Sequence, residues 1–371
     1  MPKGAATRTR LAIAGLGLVG RRHADAIAHA DGAVLSAVVD PTDAGKTEAE
    51  RRNVPWFADM RSMIDTQRPD GIILSTPTGL HVEQATVAVE AGIPVLVEKP
   101  LADDLGAAQD LVERAERAGA KLLVGHHRRH NPLIRKAKTI IETGDVGDIR
   151  AVQATCWFYK PDAYFDIAPW RKQLGAGPIS VNLVHDIDLI RYLCGEVVGV
   201  QAQAAPSRRG FENEDVAAAL LTFGNGAIGT ITVSDSIVAP WSWEMTAAEY
   251  PVYPTTSQAA YQIGGSHGAL SIPDLRLWTH KEARDWWTPI SATSVVRDAS
   301  DPLVNQINHF VAVIAGHEEP LVTGREGYRT LAVVDAIQRS ARTGETIRFD
   351  ERPNAPVDEA ILTTQILNPA H

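Results

Sequence analysis

The sequence predicts an α/β fold: a doubly wound parallel sheet, followed by an α+β domain on a mainly antiparallel, open-faced sheet. Three observations predict it. Between Arg10 and about Gly125, short β-branched runs alternate with helical stretches. Runs such as Ile72-Ile-Leu74 and Val95-Leu-Val97 carry no period-2 polarity, as expected of strands covered on both faces. After about residue 145 the texture changes to longer alternating strands, a hairpin signal and most of the tryptophans.

Leu11–Gly15 reads as the first strand and Arg21–Ala30 as the helix after it. Ala33–Asp40 and Gly71–Thr76 read as the second and third strands. Leu80–Ala91 (helix), Pro94–Glu98 (strand), Asp104–Ala118 (helix) and Lys121–Gly125 (strand) continue the alternation. Strand-helix alternation of this kind implies right-handed βαβ units. Further on, Ile149–Phe158 and Val216–Phe223 read as strands. Phe223-Gly-Asn-Gly-Ala227 reads as a hairpin turn, with Asn225 and Gly226 supplying the two positive-φ positions of a type I′ turn. Ala227–Ser236 is its return strand. Asn182–Cys194, Leu303–Ala315 and Glu326–Arg342 read as helices, ahead of a Pro-containing polar tail. Seven of the eight tryptophans, Trp241, Trp243, Trp286 and Trp287 among them, follow residue 150.

At about 150 residues per domain, 371 residues suggest two domains. The reading places them at 1–126 and 127–371, with C-terminal helices able to pack back on the first. The balance of 45 acidic against 36 basic side chains, a formal charge of −9, argues against a nucleic-acid partner. Cys156 and Cys194 are too few for a disulfide framework, and no Cys/His spacing suggests zinc. No apolar run reaches about 18 residues, so no membrane span is expected. The basic start, Met1 to Arg10, lacks the apolar core of a signal peptide. A soluble, cytoplasmic protein is the expectation.

Gly15-Leu-Gly17-Leu18-Val19-Gly20 follows a strand and opens a helix, and Asp40 closes the next strand twenty positions after Gly20. The glycines allow a tight turn and close approach of backbone to a pyrophosphate, while the helix N-terminus offers N–H donors. This is the arrangement of a Rossmann dinucleotide site. Asp40 would accept hydrogen bonds from ribose hydroxyls and repel a 2′-phosphate, favouring NAD over NADP. Arg21 and Arg22 are the cations that would reverse this preference, unless they form a solvated first turn.

Lys99, within Glu98-Lys99-Pro100, ends a strand, and ligands of open α/β sheets lie beyond carboxyl ends of strands. A lysine there can stabilise an alkoxide or donate a proton to a carbonyl. A cis bond before Pro100 would fix its aim. In Gly175-Ala-Gly-Pro-Ile-Ser-Val-Asn-Leu-Val-His-Asp-Ile-Asp188, His185, Asp188 and Tyr192 share one helix face by their i, i+3, i+7 spacing. His185 can serve as a general base near neutral pH.

The glycine loop, Ser75-Thr76-Pro77 with His81, Glu98-Lys99-Pro100 and His185-Asp-Ile-Asp188 occur in an order and spacing that resemble the Gfo/Idh/MocA family of NAD(P)-dependent oxidoreductases. The resemblance spans roughly residues 8–349. It implies a Rossmann domain followed by an open-faced domain whose sheet makes subunit contacts, and hence a homo-oligomer, dimer or tetramer. It also implies that Lys99 and His185 flank the reacting carbinol. Gly15, Gly17, Leu18, Val19, Gly20, Asp40, Ser75, Thr76, Pro77, His81, Glu98 and Lys99 would form the cofactor site. Many members carry Asp four residues before the histidine, where this chain has Val181. Its neighbour Asn182 either supplies the missing hydrogen bond or caps the helix.

Gly125-His-His-Arg-Arg-His-Asn-Pro132 falls where the family lines its cleft, so His126, His127, Arg128 and Arg129 would give the pocket edge positive character. A zinc cluster there is rejected, because no further thiolate or carboxylate stands at ligand spacing. Arg171, after Trp170, either grips substrate oxygens or pairs with an Asp. The implied substrate is a small polyol, bound by His127, Arg128, Arg129, Arg171, Asn182 and His185. The leading function is an NAD-dependent dehydrogenase acting on a secondary alcohol of a sugar, cyclitol or related polyol. Alternatives are a cis-dihydrodiol dehydrogenase for an aromatic acid, a glycosidase or epimerase cycling bound NAD, and a non-catalytic NAD sensor. Retention of Lys99 and His185 argues against the sensor.

Overall fold

The computed structural model describes residues 8–349, so the start of the basic N-terminus and most of the polar tail lie outside the described residues. Two compact units result. One takes residues 8–136 together with Arg297–Ala332, and the other takes Ala137–Val296 together with residues 333–349.

The first unit is built on six parallel strands: β1 (Thr9–Ala14), β2 (Ala33–Val39), β3 (Trp56–Phe57), β4 (Gly71–Leu74), β5 (Val95–Val97) and β6 (Leu122–Val124). Their order is β3-β2-β1-β4-β5-β6, so the winding reverses between β1 and β4. Side chains alternate between two apolar layers. Ala12, Ala14, Ile72, Leu74, Val95 and Val97 pack with Ala85, Ala88, Leu111 and Val112. Leu11, Ile13, Ile73 and Leu96 pack with Ile27, Phe310 and Val313. Both faces are dry, which is why these strands read as unbroken apolar runs. Helix Pro302–Ile314, which carries Phe310 and Val313, belongs to this unit.

Around the first three strands the sequence reading missed β3 and the helices Asp43–Arg51 and Met60–Gln67. Both helices are short and start on capping side chains. Thr42 accepts from the Gly45 N–H at 3.0 Å and Asp59 from the Ser62 N–H at 2.9 Å.

The second unit carries nine strands: β7 (Ile149–Trp157), β8 (Val197–Pro206), β9 (Glu214–Phe223), β10 (Ile228–Ser234), β11 (Tyr261–Gly265), β12 (Gly268–Ile272), β13 (Arg276–Thr279), β14 (Ser291–Ser294) and β15 (Ile347–Arg348). The order is β14-β13-β12-β11-β7-β10-β9-β8-β15. Every pair is antiparallel except β7 with β10. On β9, Ala217, Ala219, Leu221 and Phe223 are buried while Ala218, Leu220 and Thr222 face outward.

The open face carries both polar and apolar side chains. Gln201, Gln203, Ala218, Leu220, Thr230 and Thr232 line a shallow depression there. The most exposed tryptophans, Trp286 and Trp287, stand on the connection between β13 and β14 instead.

The hairpin between β9 and β10 forms, but not as a type I′ turn. Gly226 has φ +84°, and Asn225 is not in the positive-φ region. The Gly226 N–H donates to the Phe223 carbonyl at 2.9 Å and the Phe223 N–H to the Ala227 carbonyl at 3.0 Å. This is a turn closed by a left-handed glycine bulge. The Asn225 side chain explains the choice. Its Nδ2 donates to the Cys194 carbonyl at 2.9 Å and its Oδ1 accepts from the Ala227 N–H at 3.1 Å, leaving the positive φ to glycine.

Candidate active site

The glycine loop lies where the winding of the first sheet reverses, the place where open α/β sheets bind ligands. Gly15 takes φ +84°, and a Cβ on it would stand 2.7 Å from the Ser75 backbone. A Cβ on Gly20 would stand 1.9 Å from the Gly15 carbonyl oxygen, so helix Leu18–His29 can approach the loop only through glycine. Ser75 locks the loop, donating from Oγ to the Gly15 carbonyl at 2.7 Å.

These residues fit a dinucleotide. A Cβ on Gly17 would meet nothing within 4 Å, so the backbone there is open to a ligand. Helix Leu18–His29 has no side-chain cap and no acidic residue in its first turn, and Leu18 and Val19 are exposed. Its first N–H groups are therefore available to an anion. Asp40 is buried at the end of β2. Burial alone would raise its pKa, but hydrogen bonds from Thr42 and the Leu16 N–H, with Arg21 nearby, hold it below the ordinary value. Its Oδ2 accepts from Leu16 at 2.8 Å, and its Oδ1 from both the N–H and hydroxyl of Thr42.

Lys99 follows β5, and the Lys99–Pro100 peptide is cis. Two buried neighbours hold this turn. His81 spans the carbonyls of Thr76 and Pro100, each at 2.9 Å, tying the end of β4 to it. Glu98 turns inward. One of its oxygens meets His23 Nε2 at 2.7 Å and the other accepts from the Lys99 N–H at 3.1 Å. Burial alone would raise the Glu98 pKa, but His23, with His127 and Lys99 nearby, brings it to about 2.

The sequence reading missed His23, which is fully buried. Its signal was present: it stands three residues after Gly20, on the helix face that the glycine brings against the sheet. Sequence reading assigned Glu98 to the cofactor. Its carboxylate contacts are with His23 and the backbone.

The His126–Asn131 segment is also more internal than a pocket edge. Arg128, Arg129 and His130 are all buried. Arg129 donates to Glu326 at 3.0 Å. His130 Nε2 lies in hydrogen-bond reach of His309 Nδ1 at 3.1 Å, the two rings tilted against each other, and burial pushes the His130 pKa down to about 3. His127 alone of the three predicted substrate residues in this segment is half-exposed. Among the described residues no group of three His, Cys, Asp or Glu side chains converges as a metal site.

In the second unit, His185 lies in the first turn of helix Leu183–Cys194. The next residue, Asp186, is buried and accepts from the Tyr261 hydroxyl, which anchors the helix to β11. Asn182 does not cap the helix. It has helical dihedrals (φ −105°, ψ −52°) and its side chain makes no cap bond. Instead its Oδ1 accepts from Lys160 Nζ at 2.7 Å. Lys160, missed by the sequence reading, is buried 3.3 Å from Asp235, which Arg209 also holds at 3.0 Å. Arg171 does not pair with an Asp. Its guanidinium stacks 4.0 Å from the centre of the Tyr164 ring, and Nη1 donates to the Tyr164 carbonyl at 2.7 Å.

Comparison with known proteins agrees with both halves. Residues 9–126 match the model of an oxidoreductase family with an NAD-binding Rossmann fold, and residues 134–271 match the GFO/IDH/MocA C-terminal domain. D-apiose dehydrogenase of Paraburkholderia graminis is 26% identical over 354 residues, covering 92% of this chain and 90% of that protein. The NAD(+)-dependent scyllo-inositol 2-dehydrogenase of Bacillus subtilis is 25% identical, covering 92% and 97%. The WlbA dehydrogenase of Bordetella pertussis, solved with NADH and UDP-GlcNAcA, superposes with a TM-score of 0.76 at 28% identity, covering 92% of this chain and 99% of that one.

The His23–Glu98 pair gives the site a measurable signature. Truncating His23 strands a buried carboxylate, so His23→Ala should cost about 3–5 kcal/mol in urea unfolding. Replacing both partners with apolar residues should recover part of the loss. Because Glu98 drops from 4.5 to about 2, its contribution is complete above pH 4.5 and fades as pH falls toward 2. Unfolding curves across that window should show the loss in the native protein and not in the double variant.

Proposed function

Since the chain belongs to the Gfo/Idh/MocA family of NAD-binding oxidoreductases, we propose that it is an NAD-dependent dehydrogenase for a secondary alcohol of a sugar, cyclitol or related polyol. The observation that carries this is Lys99 at the end of β5, where the buried Glu98–His23 pair ties the strand to the helix that follows the glycine loop. When bound, the nicotinamide supplies the hydride acceptor.

The chain's own residues then have to remove the hydroxyl proton. His185 is the proposed base, an imidazole whose ordinary pKa lies near neutrality. The Lys99 ammonium would stabilise the developing alkoxide. Gly17, Leu18, Val19 and Gly20 would hold the pyrophosphate through backbone N–H groups, while Gly15, whose own N–H donates to the Val39 carbonyl, would shape the turn. Asp40 would take the ribose. Ser75, Thr76 and His81 support this site through the loop and turn contacts described above.

We further propose a cytoplasmic homo-oligomer. No described helix is long and apolar enough to cross a membrane, and both cysteines are buried free thiols. The open sheet face of the second unit, with Leu220 and Ala218 at its centre, is the proposed subunit contact.

Three outcomes are expected. Comparison of kcat/KM for the two cofactors should favour NAD by about tenfold or more, because Asp40 opposes a 2′-phosphate. Equal use of NADP would reject that role. Light scattering at micromolar concentration should report a dimer or tetramer, and a monomer would refute the sheet-face contact. Lys99→Ala and His185→Ala should each lower kcat by about 10²–10⁴-fold on a polyol substrate while still binding NAD. A folded variant within threefold of the native rate would remove that residue from proton transfer. Cofactor binding without turnover on any polyol, sugar or dihydrodiol would leave the sensor in place of the enzyme.

A further inference from the structure

The second unit carries a cluster of hydrogen-bond donors that a neutral polyol does not need. Asn182 stands one helical turn before His185, whose N–H donates to the Asn182 carbonyl at 3.2 Å. Lys160 is 7% exposed and Asn182 is 9% exposed, and Lys160 Nζ lies 2.7 Å from Asn182 Oδ1. An ammonium has three donors and no acceptor, so only the amide oxygen can face it. The orientation of Asn182 is thereby fixed. Its Nδ2 is turned away with two donors, and no described residue accepts from it.

Arg171 adds a second set. Its Nε is buried and makes no hydrogen bond, and among the described residues no carboxylate pairs with its guanidinium. The Tyr164 ring joins the two sets, with Lys160 Nζ 5.0 Å and the Arg171 guanidinium 4.0 Å from its centre. Among the described residues none of the neighbouring acids pairs with Arg171, and Glu244 acts on Lys160 only at a distance. Asp235 takes Lys160 and Arg209, Asp215 accepts from the Arg208 N–H at 2.7 Å, and Glu214 accepts from the Ile179 N–H at 3.0 Å. Arg171 is thus a cation whose counter-charge the unit does not supply.

We infer that this cluster selects a hydroxy acid: a substrate bearing a carboxylate near its reacting carbinol, held by Asn182 Nδ2 and the Arg171 guanidinium. A carboxylate is acceptor-only and complements donors that have lost their own acceptors, whereas a hydroxyl brings a donor of its own into a donor-lined site. Val181 strengthens the contrast. The residue four before His185 is apolar, so no acceptor stands there for a substrate hydroxyl. Lys160 is a positioning residue here, acting through the amide it orients. The inference rests on the dehydrogenase reading for its chemistry, but not for its binding.

Matched pairs test it in the full chain: D-glucuronate against D-glucose, D-galacturonate against D-galactose, and D-gluconate against sorbitol. NADH formation gives kcat/KM, and calorimetric titration of the NADH-loaded protein gives binding without turnover. At least a tenfold advantage for the acid of one or more pairs is expected in both measurements. Arg171→Gln and Asn182→Asp should each erase it, mainly through KM. Lys160→Met should reduce it, because the amide is then free to turn. Melting temperature and NADH binding show which variants are folded, and either of the first two suffices. Neutral members used and bound as well as the acids would overturn the inference and leave the dehydrogenase standing. Tighter acid binding with no NADH from any compound would support the inference and overturn the dehydrogenase reading. Equal or absent binding of all six compounds would overturn the inference whatever the turnover.

Discussion

A single buried hydrogen-bonded pair, His23 with Glu98, is the constraint on which the glycine-loop end of the first unit depends. A carboxylate cannot remain charged out of water unless it is paired and hydrogen-bonded. Both conditions are met by residues that also define the site. His23 belongs to the helix that Gly20 brings onto the loop, and the Lys99 N–H donates to the second carboxylate oxygen. Even β6 is shaped by it, since a Cβ on Gly125 would stand 3.0 Å from Glu98 Oε1. His81 closes the frame from the other side, between Thr76 and Pro100. The backbone of Lys99 is therefore fixed by packed neighbours.

Topology does the equivalent job in the second unit. β7 and β10 are its one parallel pair, so their carboxyl ends emerge side by side. That places Lys160, just after β7, beside Asp235, just after β10. The Lys160 N–H donates to the Asp235 carbonyl at 2.8 Å, and Tyr159 bridges to Ser236. An antiparallel pairing at this position would have sent the two residues to opposite ends of the sheet. The charge on Lys160 is tolerable there because Asp235, Asn182 and the Tyr164 ring surround it, although burial still lowers its pKa.

Much of the first unit was legible because its signals are local. Glycines at 15, 17 and 20, the apolar runs of β1, β4 and β5, and the acidic end of β2 each reveal their role within a few residues. β3 was not legible, being two residues long at a sheet edge. β8 was hidden by its composition, since Gln201-Ala-Gln-Ala-Ala205 has little β propensity and pairs only because β9 and β15 flank it. Among site residues, Lys99 and His185 stood out by motif, while His23 and Lys160 did not. Their roles are set by partners 75 and 22 residues away, Glu98 and Asn182, and no spacing rule reaches that far. The basic run at 126–129 reads as a positive pocket edge, and its depth was not legible: Arg128 and Arg129 are buried, and Glu326, far along the chain, holds Arg129.

The two units divide the work in a way their interactions make explicit. In the first, the glycine loop, Ser75, His81, Glu98 and Lys99 bind one another through backbone groups or buried pairs, so a change at any of them disturbs the others. Such a set is constrained as a whole and suits a cofactor that does not vary. In the second, His185 is anchored separately, through the helix that Asp186 and Tyr261 tie to β11. The polarity of the neighbouring wall depends on Val181, Asn182 and Lys160, none of which contributes to that anchor. The donor or acceptor character of the wall can therefore change without moving the imidazole. Within one scaffold, the inferred recognition can vary at residues 160, 171, 181 and 182 while the groups proposed to handle the proton stay fixed.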